Sequence, residues 1–462
     1  MKKFCSQKIN AILASLCLLA GSLDAAEINS AKPNVIVMIA DDLGYADVSC
    51  LSSGTVKTPN MDRLAQMGVK FTSGYVTAPL CGPSRAGFFT GRYNQRFGFV
   101  DNAGGIPTNV PLLPAALHDA GYHTGLIGKW HSTGPMPFKR GCFDESLCSV
   151  VSNPFIDYHH PKLARNGKVE EFSEYSTDLF ADEAIKFIEN NKDKPFSLTV
   201  TFNAPHILRV VKQALTIRQD YDAAAAAGKV LDVPKVPTAR PGEAANYAAQ
   251  FPGDTARSDT VATIAALDQA VGRILDKLKQ TGLDRNTMIF FFADNGGHPE
   301  NRSENLPLRD YKWSVFEGGI RVPFLAAYPG VFPAGLTFTN PVSTLDIFPT
   351  VTALAGVKPP TNLDGVNLAP FLQGGETALP HEALFFSIDG KAAVRQGQWK
   401  LVVEPNGKPH LFNLATDLPE QRDLALIETN RVTELTTKWQ AWHAQMPFAS
   451  GAKAKARSNN AD

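Results

Sequence analysis

Residues 34–42 read NVIVMIADD, and this stretch indicates the fold class of the chain. It is a continuous apolar run of strand length that ends abruptly in Asp41 and Asp42. A run of this kind is typical of a parallel strand that is buried on both faces. Open α/β sheets build their sites at the carboxyl ends of such strands. The stretch therefore predicts a buried strand that delivers two carboxylates to one edge of a sheet.

Adjacent carboxylates at a buried strand end are unfavourable unless a cation neutralises them. The segment 41–44 also has a second interpretation, because an Asp-Asp-x-Gly step can form an Asx turn followed by a helix N-cap. Taken alone, the segment is equally compatible with a metal site and with a simple turn.

The succession of an apolar strand and a polar tip recurs along the chain. Apolar runs at 122–127, 196–202 and 287–292 each end in a polar segment, and a helical spacing of apolar positions at 268–278 precedes the last run. This repeated unit predicts an α/β fold with a mostly parallel central sheet flanked by helices. The polar segments are GKWH at 128–131, NAPH at 203–206 and ADNGG at 293–297.

The sequence pattern changes after a Gly-containing domain boundary at 373–375. Short strand patterns separated by Gly-containing turns, followed by a helical pattern at about 427–445, predict a small antiparallel α+β subdomain. We expect a signal peptide at 1–26, a catalytic domain at 27–375, this subdomain at 376–448 and a disordered tail at 449–462. The short strands are predicted at 381–388, 391–396, 399–403 and 410–413.

The first 26 residues have the pattern of a secretory signal: Lys2, Lys3 and Lys8, then an apolar run at 12–20, then small residues. The run is short for a membrane span, so a membrane anchor is disfavoured. Secretion, most simply to a bacterial periplasm, is the expected location. Without this segment the chain has 42 basic and 44 acidic residues, so it offers no basic field for nucleic acid.

Four cysteines remain after signal removal: Cys50, Cys81, Cys142 and Cys148. They do not form the pattern of a disulfide scaffold, although a Cys142–Cys148 bridge is possible in an oxidising compartment. The segment 211–257, with an alanine run and several prolines, predicts a helix plus a long surface loop. Such a loop could shape substrate access or be a plain surface excursion.

Residues 78–93 read APLCGPSRAGFFTGRY and predict a helix that starts near Cys81. Pro83 in the first turn costs no hydrogen bond, and Arg85 at i+4 faces the same way as Cys81. Backbone N–H groups, the helix dipole and the guanidinium would together bind an anion. A buried structural cysteine at a helix start is the alternative.

Oxygen ligands occur at two of the predicted strand ends, which are expected to lie on one edge of the sheet. Asp41, Asp42, Asp294 and Asn295 offer carboxylate and amide oxygens, which suit Ca²⁺ or Mg²⁺ better than Zn²⁺. Ca²⁺ is favoured over Mg²⁺ because so many protein oxygens are available.

Together these motifs resemble the type I sulfatases, the formylglycine-dependent members of the alkaline-phosphatase-like superfamily. The resemblance rests on the Cys-x-Pro-Ser-Arg pattern at Cys81 and on strand-tip motifs that follow the family's order. It extends to Lys312, which precedes EGGIRVP at 317–323, whose glycine pair permits close backbone approach or positive φ. The patterns WKL at 399–401 and LFNL at 411–414 resemble the family's small second domain.

The resemblance implies that a formylglycine-generating maturation enzyme oxidises Cys81, and that the aldehyde hydrate, assisted by Arg85, attacks the sulfur of a sulfate ester. Ser149 and Ser152 compete for a role in orienting an active-site lysine. In this implied mechanism Lys129 and Lys312 bind the sulfate oxygens, His206 protonates the leaving alcohol, and His131 removes the proton that lets the aldehyde re-form. The implied metal ligands are Asp41, Asp42, the modified Cys81, Asp294 and Asn295.

The expected substrate is a sulfated oligo- or polysaccharide, such as a carrageenan-type galactan or a glycosaminoglycan fragment. Two alternatives remain: a formylglycine-dependent phosphonate or phosphate ester hydrolase, and a catalytically silent protein that binds sulfated glycans. A two-zinc phosphatase is disfavoured by Cys81 and by the lack of suitable His ligands. The candidate sugar-binding residues, each of which could instead be an ordinary surface residue, are Trp130, His159, His160, His298, Arg302 and Arg309.

Overall fold

The computed structural model describes residues 32–52, 54, 56–132, 136–151, 156–207 and 238–447. The described residues from Pro33 onward form one compact unit. The expectations for the signal peptide, the tail from residue 449, the alanine run at 223–227 and Ser152 lie outside the described residues. Among the described residues, none of the helices combines the length and the apolar character needed to cross a bilayer.

Strands and helices alternate through most of the described chain. The strands are Asn34–Ala40 (β1), Val69–Phe71 (β2), Gly74–Tyr75 (β3), His123–Gly128 (β4), Glu145–Ser149 (β5), Lys162–Arg165 (β6), Lys168–Glu171 (β7), Phe196–Thr201 (β8), Thr287–Ala293 (β9), Phe324–Ala327 (β10), Leu336–Phe338 (β11), Val342–Ser343 (β12), Leu384–Ile388 (β13), Lys391–Gln396 (β14), Trp399–Val403 (β15) and Pro409–Asn413 (β16). The α-helices are Pro59–Met67, Cys81–Thr90, Leu113–Asp119, Pro137–Arg140, Ser176–Asn191, Thr255–Gln280, Glu317–Ile320, Ile347–Leu354, Ala369–Leu372 and Thr429–His443. The 3₁₀ helices are Tyr45–Asp47, Asn94–Phe97, Glu243–Tyr247, Asp284–Asn286, Pro299–Asn301 and Thr344–Asp346.

Ten strands form the main sheet, in the order β11-β2-β10-β9-β1-β8-β4-β5-β6-β7. Its centre, from β9 to β5, is parallel, whereas β10 and the β6–β7 hairpin pair antiparallel towards the edges. The register places Ala40 opposite Ala293 and Ile39 opposite Thr201, so β1, β8 and β9 end at the same level. The predicted α/β class with a mostly parallel central sheet is confirmed.

Strand β1 is buried on both faces, as its unbroken apolar run predicts. Ile36 and Met38 belong to a core shared with the helices Ser176–Asn191 and Thr255–Gln280. Val35 and Val37 point to the other side, into a core that contains residues of the helix Cys81–Thr90. Helices therefore cover both faces of the sheet, and polar groups are placed at its carboxyl edge.

The C-terminal strands β13–β16 form a separate antiparallel sheet of four strands. One face packs against the helix Thr429–His443, through residues such as Leu435. The other face packs on Leu80 and Phe316, which lie beside Cys81 and in the segment after Lys312. The small sheet thus supports two segments that carry predicted site residues.

The segment 69–75 is not one continuous strand: a turn at 72–73 divides it, so β2 joins the main sheet and β3 pairs with β12. A Cβ on Gly74 would lie 2.6 Å from Phe324 Cβ, so a residue larger than glycine would clash at this position. Cys142 and Cys148 are both buried free thiols, so the structure does not contain the bridge that the sequence left open.

Candidate active site

The carboxyl ends of β1 and β9 bring Asp41, Asp42 and Asp294 together. Asp294 N donates to Ala40 O over 3.0 Å, and Asp42 N donates to Asp294 Oδ1 over 3.3 Å. Asp42 has a φ of 64°, a left-handed conformation that turns the chain sharply at the strand end. All three carboxylates are 1% exposed or less. The prediction that they meet at one sheet edge is confirmed.

Cys81 is the first residue of the helix Cys81–Thr90 and is buried among these carboxylates. Its Sγ lies 3.4 Å from Asp41 Oδ1 and 3.8 Å from Asp42 Oδ1. Burial raises the pKa of the Cys81 thiol well above its usual range, and the nearby Asp294 and Asp41 charges add to this against Lys312. The sulfur is therefore a protonated thiol at neutral pH, which is a poor nucleophile.

Two lysine ammonium groups face this carboxylate pair. Lys129 Nζ donates to Asp41 Oδ2 over 2.5 Å, and Lys312 Nζ donates to Asp42 Oδ1 over 2.6 Å. Lys312 Nζ also lies 3.1 Å from Cys81 Sγ. Burial alone would raise the pKa of Asp41, but the surrounding cations, Lys129 first, hold it well below its usual range. Both lysines thus form ion pairs with the two carboxylates that lie next to Cys81, and Lys312 also contacts its sulfur.

Arg85 completes the cationic side of the site. Its Nε donates to Asp294 Oδ2 over 2.8 Å, and its Nη1 donates to the backbone oxygen of Lys129 over 2.8 Å. Nη2 is 3.6 Å from Asp41 Oδ2. Burial, followed by the charge of Asp41, raises the pKa of Asp294 to about 7, with Arg85 opposing the shift. Arg85 therefore joins the Cys81 helix to the strand-end carboxylates.

His206 faces the carboxylates from the loop after β8. Its Nδ1 lies 2.7 Å from Ile207 O, and because a carbonyl can only accept, Nδ1 carries a proton. Nε2 then points towards Asp42 Oδ2, at 3.6 Å. Burial lowers the pKa of His206 to about 4, with the charges of Asp41 and Asp42 opposing this. The hydroxyl of Tyr158 lies 2.8 Å from His206 O, so it anchors the backbone of this loop.

His131 is buried close to the start of the Cys81 helix. Neither of its ring nitrogens has a hydrogen-bond partner among the described residues. Burial, with the charges of Lys129 and Arg85, holds the pKa of His131 well below its usual range. Its backbone oxygen lies 3.1 Å from the position that a Cβ on Gly82 would take. The ring is therefore a neutral base beside the reacting region.

The oxygen groups fit a hard divalent cation. Asn295 Nδ2 donates to Asp42 Oδ1 over 2.7 Å, whereas Asn295 Oδ1 is a buried acceptor with no hydrogen-bond partner in the described part of the chain. One ligand atom from each of Asp41, Asp42, Cys81 and His206 lies within 4.8 Å of the others. An unpartnered oxygen beside clustered carboxylates is the donor chemistry that Ca²⁺ and Mg²⁺ favour.

The glycines of the EGGIRVP stretch are explained by close backbone approach. A Cβ on Gly319 would lie 2.0 Å from Ser314 O, and one on Gly296 would lie 1.7 Å from Gly318 O. This packing presses the Lys312 segment against the end of β9. Trp313 N donates to Pro79 O over 2.9 Å, which also ties that segment to the residues preceding Cys81.

A buried ion cluster behind the Lys312 segment was not predicted from the sequence. Lys400 Nζ lies 2.9 Å from Glu317 Oε1 and 2.8 Å from Glu420 Oε1. Glu317 N donates to Glu420 Oε2 over 2.7 Å, and Tyr75 OH donates to Glu317 Oε2 over 2.7 Å. The cluster joins the C-terminal sheet to the helix Glu317–Ile320, which follows Lys312. The one local signal was Arg321 at i+4 from Glu317, a spacing that favours an ion pair.

The candidate sugar-binding residues have different surroundings. Trp130 is fully buried and packs on Phe89, with ring centroids 5.0 Å apart, so the expectation that it binds sugar is corrected: its side chain belongs to the core. His298 is 3% exposed and packs on Trp313. Arg309 donates to Glu420 O over 2.9 Å.

His159 and His160 directly follow Tyr158, whose hydroxyl contacts the His206 loop, and they remain candidates. Arg302 Nε lies 3.8 Å from Asp254 Oδ1, which is an ion pair at the margin of the site. Ser149 Oγ accepts a hydrogen bond from Trp130 N over 3.3 Å. Ser149 therefore supports the backbone that follows Lys129, and no hydrogen bond joins it to a lysine side chain in the described structure.

Comparisons with known proteins agree with this geometry. A sequence model of the Sulfatase family matches residues 33–357, and one described as N-sulphoglucosamine sulphohydrolase, C-terminal, matches residues 309–438. Rat (Rattus norvegicus) N-acetylgalactosamine-6-sulfatase is 30% identical over 95% of this chain and 81% of its own length. Human arylsulfatase D is 29% identical over 81% of this chain and 74% of its own length.

Among solved structures, Ps i-CgsB in complex with k-i-k-neocarrahexaose is similar to this chain with a TM-score of 0.79. The two are 32% identical, and the match covers 91% of this chain and 94% of that one. The family match covers most of the strands that build the site, including β1, β8 and β9. The chain therefore belongs to the sulfatase family, whose named members are sulfuric ester hydrolases.

Proposed function

We propose that this protein hydrolyses sulfate monoesters on a sulfated oligo- or polysaccharide, with residue 81 as the nucleophile. The observation that carries the proposal is the position of Cys81 Sγ, which lies 3.4 Å from Asp41 Oδ1 and 3.1 Å from Lys312 Nζ at the start of a helix. An oxyanion placed here would meet charged donors and the positive end of the helix dipole.

The surroundings of Cys81 favour oxidation to formylglycine before catalysis. A buried thiol with a raised pKa does not supply a thiolate at neutral pH, and soft sulfur is a poor partner for clustered carboxylate oxygens. The hydrated aldehyde would instead supply a hydroxyl oxygen as the nucleophile. A formylglycine-generating enzyme would act on the chain before this site is buried, because Cys81 is 1% exposed after folding.

Asp41, Asp42, Asp294 and Asn295 would hold a divalent cation, with Ca²⁺ preferred over Mg²⁺. When bound, the cation supplies positive charge that polarises the sulfate group and neutralises the carboxylates. Asn295 Oδ1 supports this assignment, because it is a buried acceptor without a hydrogen-bond partner in the described residues and could therefore bind the cation.

The remaining side chains bind sulfate and move protons. Lys129 and Lys312 would bind the sulfate oxygens and stabilise the charge that develops on them, because both lysines are buried and their ammonium groups contact the carboxylates beside residue 81. Arg85 orients the nucleophile by holding Asp294 and the Lys129 backbone. His206 would protonate the leaving alcohol from Nε2 as an imidazolium, a form that the negative charge of a bound sulfate ester would favour, while Nδ1 keeps its proton in the hydrogen bond to Ile207 O. His131 would then accept the proton released when the aldehyde re-forms.

A carbohydrate substrate is supported by the relatives. One similar structure contains k-i-k-neocarrahexaose, and one similar protein is named for N-acetylgalactosamine 6-sulfate chemistry. A carrageenan-type galactan or a glycosaminoglycan fragment is therefore the proposed substrate class. The signal-like pattern at 1–26 supports a secreted, periplasmic location for such an enzyme.

The test is sulfate release by the full chain, produced together with a formylglycine-generating enzyme. The substrates are an aryl sulfate, a panel of carrageenan and glycosaminoglycan oligosaccharides, and an aryl phosphonate monoester. We expect release from at least one oligosaccharide with a larger kcat/KM than from the aryl sulfate. Faster hydrolysis of the phosphonate than of any sulfate would contradict the proposal, and so would binding of sulfated glycans without turnover.

A further inference from the structure

A cleft of about 350 Å³ lies between the catalytic domain and the C-terminal sheet, apart from the residues around Cys81. Its first wall is the segment Val100–Asp101, and its second is the turn between β13 and β14, from Ser387 to Lys391. The third wall is the last part of the helix Thr429–His443, which contributes Trp439 and His443. The volume lies within the range of small-ligand sites.

The first wall connects the cleft to the nucleophile. Asn102 Oδ1 accepts a hydrogen bond from Gly82 N over 3.2 Å, directly beside Cys81. Asp101, which lines the cleft, directly precedes Asn102 in the chain, so their Cα atoms are about 3.8 Å apart. Asp101 is itself held in place, because its Oδ1 accepts hydrogen bonds from Ala103 N and Gly104 N. The loop that forms this wall of the cleft is therefore in direct contact with the start of the Cys81 helix.

The second wall is fixed to the catalytic domain. Gln95 Nε2 donates to Ser387 Oγ over 3.3 Å, which joins the 3₁₀ helix Asn94–Phe97 to strand β13. The ring of Tyr93 packs edge-on against Trp442 of the C-terminal helix, with centroids 5.1 Å apart. These contacts give the cleft a formed shape, which lowers the ordering cost of binding a ligand.

The lining has the chemistry of a sugar site. Trp439 and His443 stack with ring centroids 4.5 Å apart and an interplanar angle of 15°, and Val100 is 42% exposed opposite them. Aromatic and apolar surfaces of this kind pack on the C–H groups of a sugar ring, while a few polar groups fix its orientation. Asp389 and Lys391 supply such groups, because carboxylates accept hydrogen bonds from hydroxyls and an ammonium donates to ring or hydroxyl oxygens.

The charges of the lining indicate which sugar would bind. Asp101 and Asp389 contribute two carboxylates, whereas Lys391 contributes one ammonium group. A sulfate group placed between them would meet more repulsion than attraction. Hydroxyl groups, in contrast, can donate to both carboxylates.

We propose that this cleft binds an unsulfated sugar residue of the same glycan chain whose sulfated residue lies at Cys81. The inference rests on the proposed function and adds a second recognition site to it. It makes the enzyme selective for an oligosaccharide over a small sulfate ester, and for a chain whose neighbouring residue lacks sulfate.

The test compares kcat/KM for the oligosaccharide that the wild type desulfates fastest with kcat/KM for an aryl sulfate. The double variant Lys391→Ala/His443→Ala should lose about tenfold or more on the oligosaccharide, mainly through KM, as for truncation of a binding hot spot. Its activity on the aryl sulfate should stay within about twofold of the wild type, because nothing at Cys81 has changed. Asp193→Ala, which removes an exposed carboxylate from a turn after the helix Ser176–Asn191, is the matched control.

The second variant tests the charge argument. Asp389→Asn keeps the left-handed backbone at this position, where φ is 47°, and removes one negative charge. The wild type should have a higher kcat/KM for an oligosaccharide whose neighbouring residue is unsulfated than for one whose neighbouring residue is sulfated. In Asp389→Asn the ratio of these two kcat/KM values should be smaller.

Three results would overturn the cleft proposal and leave the sulfatase intact: equal losses on both substrates in the double variant, no loss on either, or turnover of aryl sulfate alone by the wild type. An unchanged preference in Asp389→Asn would overturn the proposed ligand charge. Failure of the wild type on every sulfate ester would refute the proposed function itself, and the cleft proposal with it.

Discussion

The ammonium group of Lys312 lies 2.6 Å from Asp42 Oδ1, although 270 residues separate the two in the sequence. The same ammonium group is 3.1 Å from Cys81 Sγ. Lys312 is only 4% exposed, so it has little contact with water. The neighbouring carboxylates, Asp42 first, outweigh burial and raise the pKa of Lys312 above its usual range. A permanent positive charge is thus held where the sulfate would bind.

We expect Lys312→Ala to lower kcat by about 10²–10³-fold, because it removes one buried donor to the charge that develops on sulfate. Sulfate release and thermal unfolding of the variant should be measured together. Lys358→Ala, a change of a lysine on the loop after the helix Ile347–Leu354, serves as the control and should keep wild-type kcat. A loss of activity below about threefold in a folded Lys312→Ala protein would remove this lysine from the proposed mechanism.

The loss of activity on removing His206 should be larger for a leaving group that depends more strongly on protonation. The alkoxide of a sugar leaves poorly without protonation, whereas a nitrophenolate leaves readily. His206→Ala should therefore lower kcat/KM by about 10²–10⁴-fold on an oligosaccharide sulfate and far less on nitrophenyl sulfate. His118→Ala, at a partly exposed histidine of the helix Leu113–Asp119, is the control. Equal losses on the two substrates would argue that His206 is a positioning residue.

Removal of divalent cations should abolish sulfate release and lower the Tm, because a ligand that binds only the folded state stabilises it. Ca²⁺ should restore both properties at lower concentration than Mg²⁺. Asn295→Ala should raise the Ca²⁺ concentration needed for half-maximal activity by about tenfold or more. Asn406→Ala, in the turn before β16, should leave that concentration unchanged. Full activity and an unchanged Tm after chelation would contradict the assignment of the metal site.

Much of the site could be predicted because a short stretch of sequence determines the local structure of each part. An apolar run followed by Asp41 and Asp42, and a Pro-containing start at Cys81, each specify local structure on their own. The Glu317–Lys400 pair could not be predicted in the same way, because its partners are 83 residues apart and the motifs that contain them do not indicate that the two side chains meet. Trp130 shows the converse error: its place between Lys129 and His131 suggested a role at the surface, but alternate residues of a chain segment can point into the core.

The buried Glu317–Lys400–Glu420 cluster should make stability depend on pH. Burial, followed by the charge of Glu317 and opposed by Lys400, raises the pKa of Glu420 to about 7. The folded protein therefore holds this proton more tightly than the unfolded chain. The corresponding stabilisation is present at pH values below the usual pKa of Glu and is lost as the pH rises towards about 7.

Glu420→Gln removes the titrating group, so the Tm of this variant should fall less than that of the wild type between pH 5 and pH 8, a range that covers most of the window between the usual Glu pKa of 4.5 and about 7. Glu376→Gln, on the exposed loop before β13, is the matched control and should follow the wild-type curve. Parallel curves for Glu420→Gln and the wild type would show that Glu420 is ionised throughout this range.

The central claim is that residue 81 acts as formylglycine, and mass spectrometry of the Cys81 peptide tests it most directly. The protein is produced with and without the maturation enzyme, and sulfate release is measured in both preparations. We predict that the peptide from the active preparation has the mass of a CHO group in place of CH₂SH, and that specific activity rises in proportion to this converted fraction. Full sulfate release by a preparation whose Cys81 peptide carries only the thiol would contradict the account.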